Sequence, residues 1–200
     1  GGEIELAGKA RSKPTVTVVM SSWACETGGV SEGNCQTLKT KGFKVPVTIK
    51  VYNVGELEEG PIAEATHNET MSFRPSSTPA QCGGDKERWF DAATSACYHG
   101  FAFPISIKLN HLKKMPKRSV ITVSYPHSSG PAQSLNVATS EPPEGTLSLG
   151  AQPAAEWFVN STWSGMYCTG TVGTLGGEGG TCSSEAELIN YQPVLSVSAN

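Results

Sequence analysis

The residues of this sequence best suited to chemistry are six cysteines, which occur as three sequential pairs. The members of a pair lie ten, fifteen and fourteen residues apart, in this order: Cys25 and Cys35, Cys82 and Cys97, Cys168 and Cys182. Although other pairings exist, this spacing favours three local disulfides, each of which closes a loop. The alternative is zinc, but the sequence has no CxxC motif and its four histidines are not at ligand spacing from the cysteines. We therefore predict three disulfide-stapled loops and no metal or other cofactor.

Disulfides on this scale predict an oxidising compartment, and hence a secreted or otherwise extracellular protein. Asn68 and Asn160 begin Asn-x-Ser/Thr sequons, which fit secretion. No apolar run approaches the roughly 18 residues of a membrane-spanning helix, so we predict no membrane insertion. The chain opens GGEIELAGKA and so lacks the apolar segment of a signal peptide. A mature chain whose leader has been removed would look the same.

Signatures of catalysis are scarce in this sequence. It contains no G-x-S-x-G elbow, no phosphate-binding glycine loop and no HExxH motif, and His99 and His127 fit ordinary loop positions. Asp85, Glu87 and Asp91 are close enough in sequence to suggest paired carboxylates for glycoside cleavage, or an irregular calcium site. Asp91 is better explained as the residue that caps the turn DAATS. We predict a protein that is not an enzyme, and a hydrolase with dispersed carboxylates is the weakest alternative.

Aromatic residues beside the cysteine loops give the clearest indication of a binding function. Exposed Trp and Tyr rings can stack on sugar faces or anchor a protein partner. The candidate binding residues are Trp23, Trp89, Tyr98, Trp157, Trp163 and Tyr167. Two alternatives stay open: the rings cover the ends of the core, or the whole protein is a structural spacer of a larger extracellular protein.

The charge of the chain does not support a nucleic-acid partner. The sequence has 15 basic and 18 acidic residues, a formal net charge of −3. The nearest approach to a basic run lacks interleaved aromatic rings for base stacking and is typical of a solvated loop with its flanking strand ends: Lys108, Lys113, Lys114, Lys117 and Arg118. The expected ligand is therefore a glycan or a protein.

Two stretches with period-two alternation identify the elements that would position these residues. Residues 101–109, FAFPISIKL, place Phe or an aliphatic residue at every second position and predict a central core strand. Residues 43–54 alternate as cleanly, which is typical of a half-buried antiparallel strand. Pro46 and Pro104 cannot donate ladder hydrogen bonds, so they should lie at an edge or a bulge.

The rest of the chain is consistent with many short strands joined by loops. The sequence has 22 glycines and 13 prolines, and its helix formers are not clustered. About eight or nine strands at this spacing predict an all-β protein: a single two-sheet antiparallel β-sandwich, immunoglobulin-like or jelly-roll, over residues 1–200. Residues 1–13 are expected to be an N-terminal extension, in which Gly1 and Gly2 could be a cloning remnant. Further strands are expected near residues 62–73, 119–125, 134–139, 157–159 and 193–199, and a helical turn at 184–190.

Four stretches, taken together, resemble a family of uncharacterised extracellular domains in secreted bacterial proteins, chiefly of actinobacteria. They are SSWACETG, FKVPVTIKVYNVG, ERWFDAATSACYHGFAFPISIKL, and the pair SLNVATSEPP and EWFVNSTWSGMYC. The resemblance covers most of the chain and implies a disulfide-stapled β-domain at the cell surface with no known activity. Such domains often have an aromatic, Asn-rich stretch where this chain has VSYPHSSG, and a charged segment where it has TVGTLGGEGGT. If those regions form a binding face, this member is expected to have lost or changed its ligand.

Overall fold

The computed structural model of the protein describes residues 1–6, 12–38, 42–54, 56, 59–126, 130–140, 150–151 and 192–199. Its regular elements are β-strands and a short 3-10 helix, Gly130–Ser134. In chain order the strands are β1 (Gly2–Leu6), β2 (Thr15–Ser22), β3 (Phe43–Asn53), β4 (Ala63–Met71), β5 (Trp89–Asp91), β6 (Ala96–Tyr98), β7 (Phe101–Lys108), β8 (Arg118–Ser124), β9 (Leu135–Val137), β10 (Thr139–Ser140), β11 (Gly150–Ala151), β12 (Gln192–Pro193) and β13 (Leu195–Ser198).

Two antiparallel sheets contain most of these strands. The first sheet has the strand order β11-β1-β8-β3-β4, and the second has the order β13-β2-β7, with β9 also pairing with β2. Two small sheets, β10-β12 and β5-β6, are antiparallel as well. The prediction of an all-β fold made of antiparallel sheets is confirmed. The choice between immunoglobulin-like and jelly-roll connectivity stays a prediction, because residues 152–191 lie outside the described part.

Alternating side chains of both sheets form one apolar core. In β3, Val45, Val47, Ile49 and Val51 are buried, whereas the residues between them are exposed or half-buried. The same alternation in β2 and β7 adds further side chains to this core: Val16, Val18, Met20, Ile105 and Ile107. Burying a Val or Ile side chain contributes about 1.5–3 kcal/mol relative to leaving it exposed. The apolar faces predicted for residues 43–54 and 101–109 are therefore the faces that hold the sheets together.

The two prolines that the sequence singled out, Pro46 and Pro104, occupy positions where a backbone donor is not needed. Pro46 pairs with Asn68 of β4, but β8 joins the other side of β3 only from Thr48 onward. Pro104 pairs with Val19 of β2, and among the described strands β2 is the only neighbour of β7. Both prolines therefore lie at local edges, as predicted. Ile105, Ile107 and Leu109 are buried, which confirms the expectation that residues 101–109 form a core strand. Within the described part β7 ends its sheet, so its central place stays a prediction.

The first residues of the chain are part of a sheet, which corrects the expectation of an N-terminal extension over residues 1–13. Gly2 to Glu5 of β1 pair with Ile121 to Arg118 of β8, and Ile4 and Leu6 are buried in the core. The physical reason is the alternation of GEIEL, in which Ile and Leu fall on one face of the strand. The strand expected at 157–159 and the helical turn at 184–190 lie outside the described residues.

Two of the three predicted disulfides are present. Cys25 bonds to Cys35 and Cys82 bonds to Cys97, and the described residues include no free cysteine. Cys168 and Cys182 lie outside the described residues. Two such bonds indicate an oxidising environment. Over the part of the chain that the structure covers, no helix has the length and apolar character needed to cross a membrane.

Candidate functional site

Two loops, each of which takes part in a disulfide, pack against each other at the end of the second sheet where β2 leaves it and β7 enters it. The first loop, residues 23–38, follows β2 and is closed by Cys25–Cys35 and by a backbone bridge between Thr27 and Gln36. The second loop, residues 72–88, follows β4. Thr37 binds it twice: its N–H donates to Ser76 Oγ (2.9 Å), and its hydroxyl donates to the Arg74 carbonyl (2.7 Å). These bonds hold the two loops as one layer.

The second loop continues into a hairpin that carries three aromatic rings, those of Trp89, Phe90 and Tyr98. Strands β5 and β6 place Trp89 opposite Tyr98 and Asp91 opposite Ala96. The Asp91 carboxylate accepts hydrogen bonds from the Ala93 N–H and the Thr94 hydroxyl, each at 3.0 Å. The predicted turn-capping role of Asp91 is therefore confirmed. The Cys82–Cys97 bond fastens β6 to the second loop.

The candidate binding residues of the described part lie in two groups of contacting rings on either side of Gly100, Trp23 with His99 and Trp89 with Tyr98 and Phe101, and we call these five residues the aromatic cluster. Trp23 and His99 stack with ring centroids 5.4 Å apart and planes 2° from parallel. Trp89 contacts Tyr98 (5.8 Å) and meets Phe101 edge-on (5.7 Å). The sequence did not indicate His99 as a ring partner of Trp23, because the two residues are distant along the chain.

Both indole rings of the cluster lie against Gly100. Its carbonyl accepts a hydrogen bond from Trp89 Nε1 at 3.0 Å. A Cβ built on Gly100 would lie 2.6 Å from Trp23 Nε1 and 2.7 Å from Ser21 Oγ, closer than real Cβ contacts come. Gly100 therefore lets Trp23 approach the backbone between β6 and β7.

The cluster members differ in how much ring surface they expose. Trp23 is 40% exposed and Tyr98 is 41% exposed. Trp89 is half-buried, and its polar nitrogen is already used by Gly100. Phe101 stacks on Phe103, which packs against the core. Trp23 and Tyr98 thus offer ring surface to a ligand, and they are backed by different rings, His99 for Trp23 and Trp89 for Tyr98. We call Trp23 and Tyr98 the aromatic surface.

Charged side chains lie at the edge of the cluster. Arg88 Nε is 3.0 Å from Asp85 Oδ2 and donates to His99 Nε2 at 3.5 Å. Glu87 Oε2 lies 4.0 Å from His99 Nε2. Asp85 also accepts from the Glu87 N–H through its other oxygen, at 2.9 Å. The described residues contain no group of three or more His, Cys, Asp or Glu side chains that could hold a metal ion.

The second loop contains a buried arginine, Arg74, that the sequence did not indicate as part of the site. Arg74 has no exposed surface, and its guanidinium donates to three acceptors: the Glu87 carbonyl (2.7 Å), the Pro75 carbonyl (3.2 Å) and Ser77 Oγ (3.3 Å). Burial lowers the pKa of Arg74, and the charge of Glu87 acts in the opposite direction. Leaving one such buried acceptor without a donor costs about 1–3 kcal/mol.

Several residues named from the sequence lie outside the described part of the chain. They are Trp157, Trp163 and Tyr167 of the binding set, the sequon residue Asn160, and His127. Asn68 of the other sequon is exposed on β4. No protein-family model, curated protein or solved structure matches this chain. The resemblance to actinobacterial extracellular domains therefore stays a prediction.

Proposed function

We propose that this protein is a secreted or cell-surface module that binds a glycan through the aromatic surface of Trp23 and Tyr98, without catalysing a reaction. The observation that carries the proposal is the fixed exposure of these two rings. Each contacts another ring of the cluster, yet each leaves about 40% of its own surface open. Because these rings are already held in place, the protein loses little conformational entropy when a sugar face stacks on one of them.

The polar edge of the cluster supports a sugar ligand. The side chains of Arg88 and Glu87 keep 45% and 49% of their surface exposed, so their donors and acceptors are accessible to hydroxyl groups. Sites that combine apolar rings with a few placed polar groups are typical of small-ligand recognition. Asp85 and Asp91 are engaged in local bonds, and we propose no catalytic role for them. The two disulfides support the extracellular setting.

The experiment is a glycan array followed by calorimetric titration of the sugars that bind. We expect Trp23→Ala and Tyr98→Ala each to weaken binding at least about tenfold, as truncation of a hot-spot residue does. The matched control is Ile62→Ala, because Ile62 is also 40% exposed but lies beside β4 of the other sheet. The control should bind as the wild type does. Failure of the wild type to bind any sugar would contradict the proposal.

A protein partner is the second candidate, because Trp, Tyr and Arg are the residue types that dominate protein interfaces and all three occur here. A pull-down from cell-wall and host material with the same variants distinguishes it from the glycan. If the three variants change only the free energy of unfolding and no ligand is found in either assay, the structural spacer is the better explanation.

A further inference from the structure

The two sides of the Trp23–His99 stack are held by different loops, and one residue bonds to both. On the Trp23 side, the Arg74 N–H donates to the Ala24 carbonyl at 2.9 Å, one residue from Trp23. On the His99 side, the Arg74 guanidinium donates to the Glu87 carbonyl at 2.7 Å. The side chains of Glu87 and Arg88 in turn lie against His99 Nε2.

The position of Arg74 requires an arginine side chain, and a lysine could not replace it. Among the described residues, Arg74 is the one charged residue that is fully buried. Its Nε and both terminal nitrogens donate to separate acceptors, which a planar guanidinium can do in one orientation. A lysine ammonium has a single nitrogen and cannot reach three acceptors spread in this way. The position therefore requires the geometry of arginine and not only its charge.

We propose that Arg74 is a positioning residue that sets how the ring of Trp23 faces the ring of His99, and thereby orients the aromatic surface. The role in ligand binding rests on the proposed function, but the role in the stack does not. Arg74 bonds to both Ala24 and Glu87 and so links the two residues. Ala24 follows Trp23 in the chain, and the side chain of Glu87 lies against the ring of His99. Loss of the guanidinium removes the bond to the Glu87 carbonyl, although the Arg88 carbonyl still accepts from the Thr78 N–H at 2.9 Å. Glu87, which lies against His99, is then less firmly held.

The test measures the stack in the absence of any ligand. In an NMR spectrum, a ring stacked on an indole shows a ring-current displacement of its proton shifts, and Trp23→Ala identifies the displacement of the His99 protons. We expect Arg74→Lys to remove most of this displacement. Ser77→Ala, which removes one acceptor of the guanidinium, should shift the same protons in the same direction by less. Arg118→Lys makes the same chemical change at an exposed arginine of β8 and should leave the His99 shifts unchanged.

Binding is measured on the same variants. If a sugar binds the wild type, we expect Arg74→Lys to weaken it about tenfold, as a misplaced hot-spot ring would. Wild-type His99 shifts in a folded Arg74→Lys protein would overturn the proposal. If Arg74→Lys does not fold, Ser77→Ala decides alone, and unchanged shifts there overturn it. Absence of any sugar ligand would contradict the proposed function and leave the NMR result on Arg74 valid.

Discussion

At the scale of single residues, Gly100 controls the approach of Trp23 to the backbone. We expect Gly100→Ala to displace the Trp23 ring, because the added Cβ would stand 2.6 Å from its Nε1. Overpacking of this kind costs about 1–3 kcal/mol of unfolding free energy. Urea denaturation measures that cost, and the His99 proton shifts report the displaced ring. Ala102→Ser is the control, because it adds one atom at an exposed position of β7. Equal stability and equal shifts in all three proteins would contradict this explanation of the glycine.

At the scale of elements, an ion pair fastens β1 to the segment before β8. Lys117 Nζ lies 2.7 Å from Glu5 Oε1. A hydrogen bond from Lys117, with its positive charge, lowers the pKa of Glu5. Because the folded pKa lies below the unfolded one, this stability is present above the ordinary pKa of Glu and is lost as the pH falls through the lowered value.

Glu5→Gln tests that pH dependence. We expect the urea midpoint of the variant to lie below that of the wild type at neutral pH. The difference should close as the pH falls below the ordinary range of a glutamate pKa, because the wild-type carboxyl is then protonated too. Glu64→Gln on exposed β4 serves as the control for loss of an ion-paired carboxylate elsewhere. A difference that stays constant across this range would show that Glu5 acts through packing and not through its charge.

At the scale of the whole molecule, the described residues form two layers that are stabilised in different ways. The core cluster is built from both sheets and includes no residue from 23–38 or 72–100. The second layer, which we call the loop layer, comprises residues 23–38 and 72–100 and is held by two disulfides, hydrogen bonds and ring contacts. The sheets should therefore remain folded when the loop layer is loosened.

Cys82→Ala combined with Cys97→Ala tests this separation. A bridge across fifteen residues stabilises by about 3 kcal/mol in the chain-entropy model. We expect faster hydrogen exchange at residues 89–98 and weaker sugar binding, with the amides of β3 still protected. Trp23→Ala is the control that removes a ring but keeps the bridge. Equal loss of protection in β3 and in the hairpin would show that the molecule unfolds as one unit.

The parts of the fold that follow from local pattern could be predicted, and the parts that depend on distant contacts could not. Alternation in residues 43–54 and 101–109 predicted both apolar faces, and spacing predicted the two observed disulfides. Strands β5 and β6 have three residues each, too few for a period-two signal. The burial of Arg74 and the stack of Trp23 on His99 depend on two loops meeting in space, which leaves no mark in either loop alone. For the candidate site, the sequence therefore named the exposed rings and missed the residues that hold them.

The proline in β7 has a consequence for how copies of this protein meet in solution. A strand that ends a sheet can template the strand of another molecule, and this is a common first step of aggregation. Pro104 has no N–H, so the row of donors along β7 is broken near its middle. Among the described residues no strand covers this side of β7, and wherever it is open a second chain cannot form an uninterrupted ladder along it. Pro104 thus lowers the risk of fibre formation beside the exposed aromatic rings.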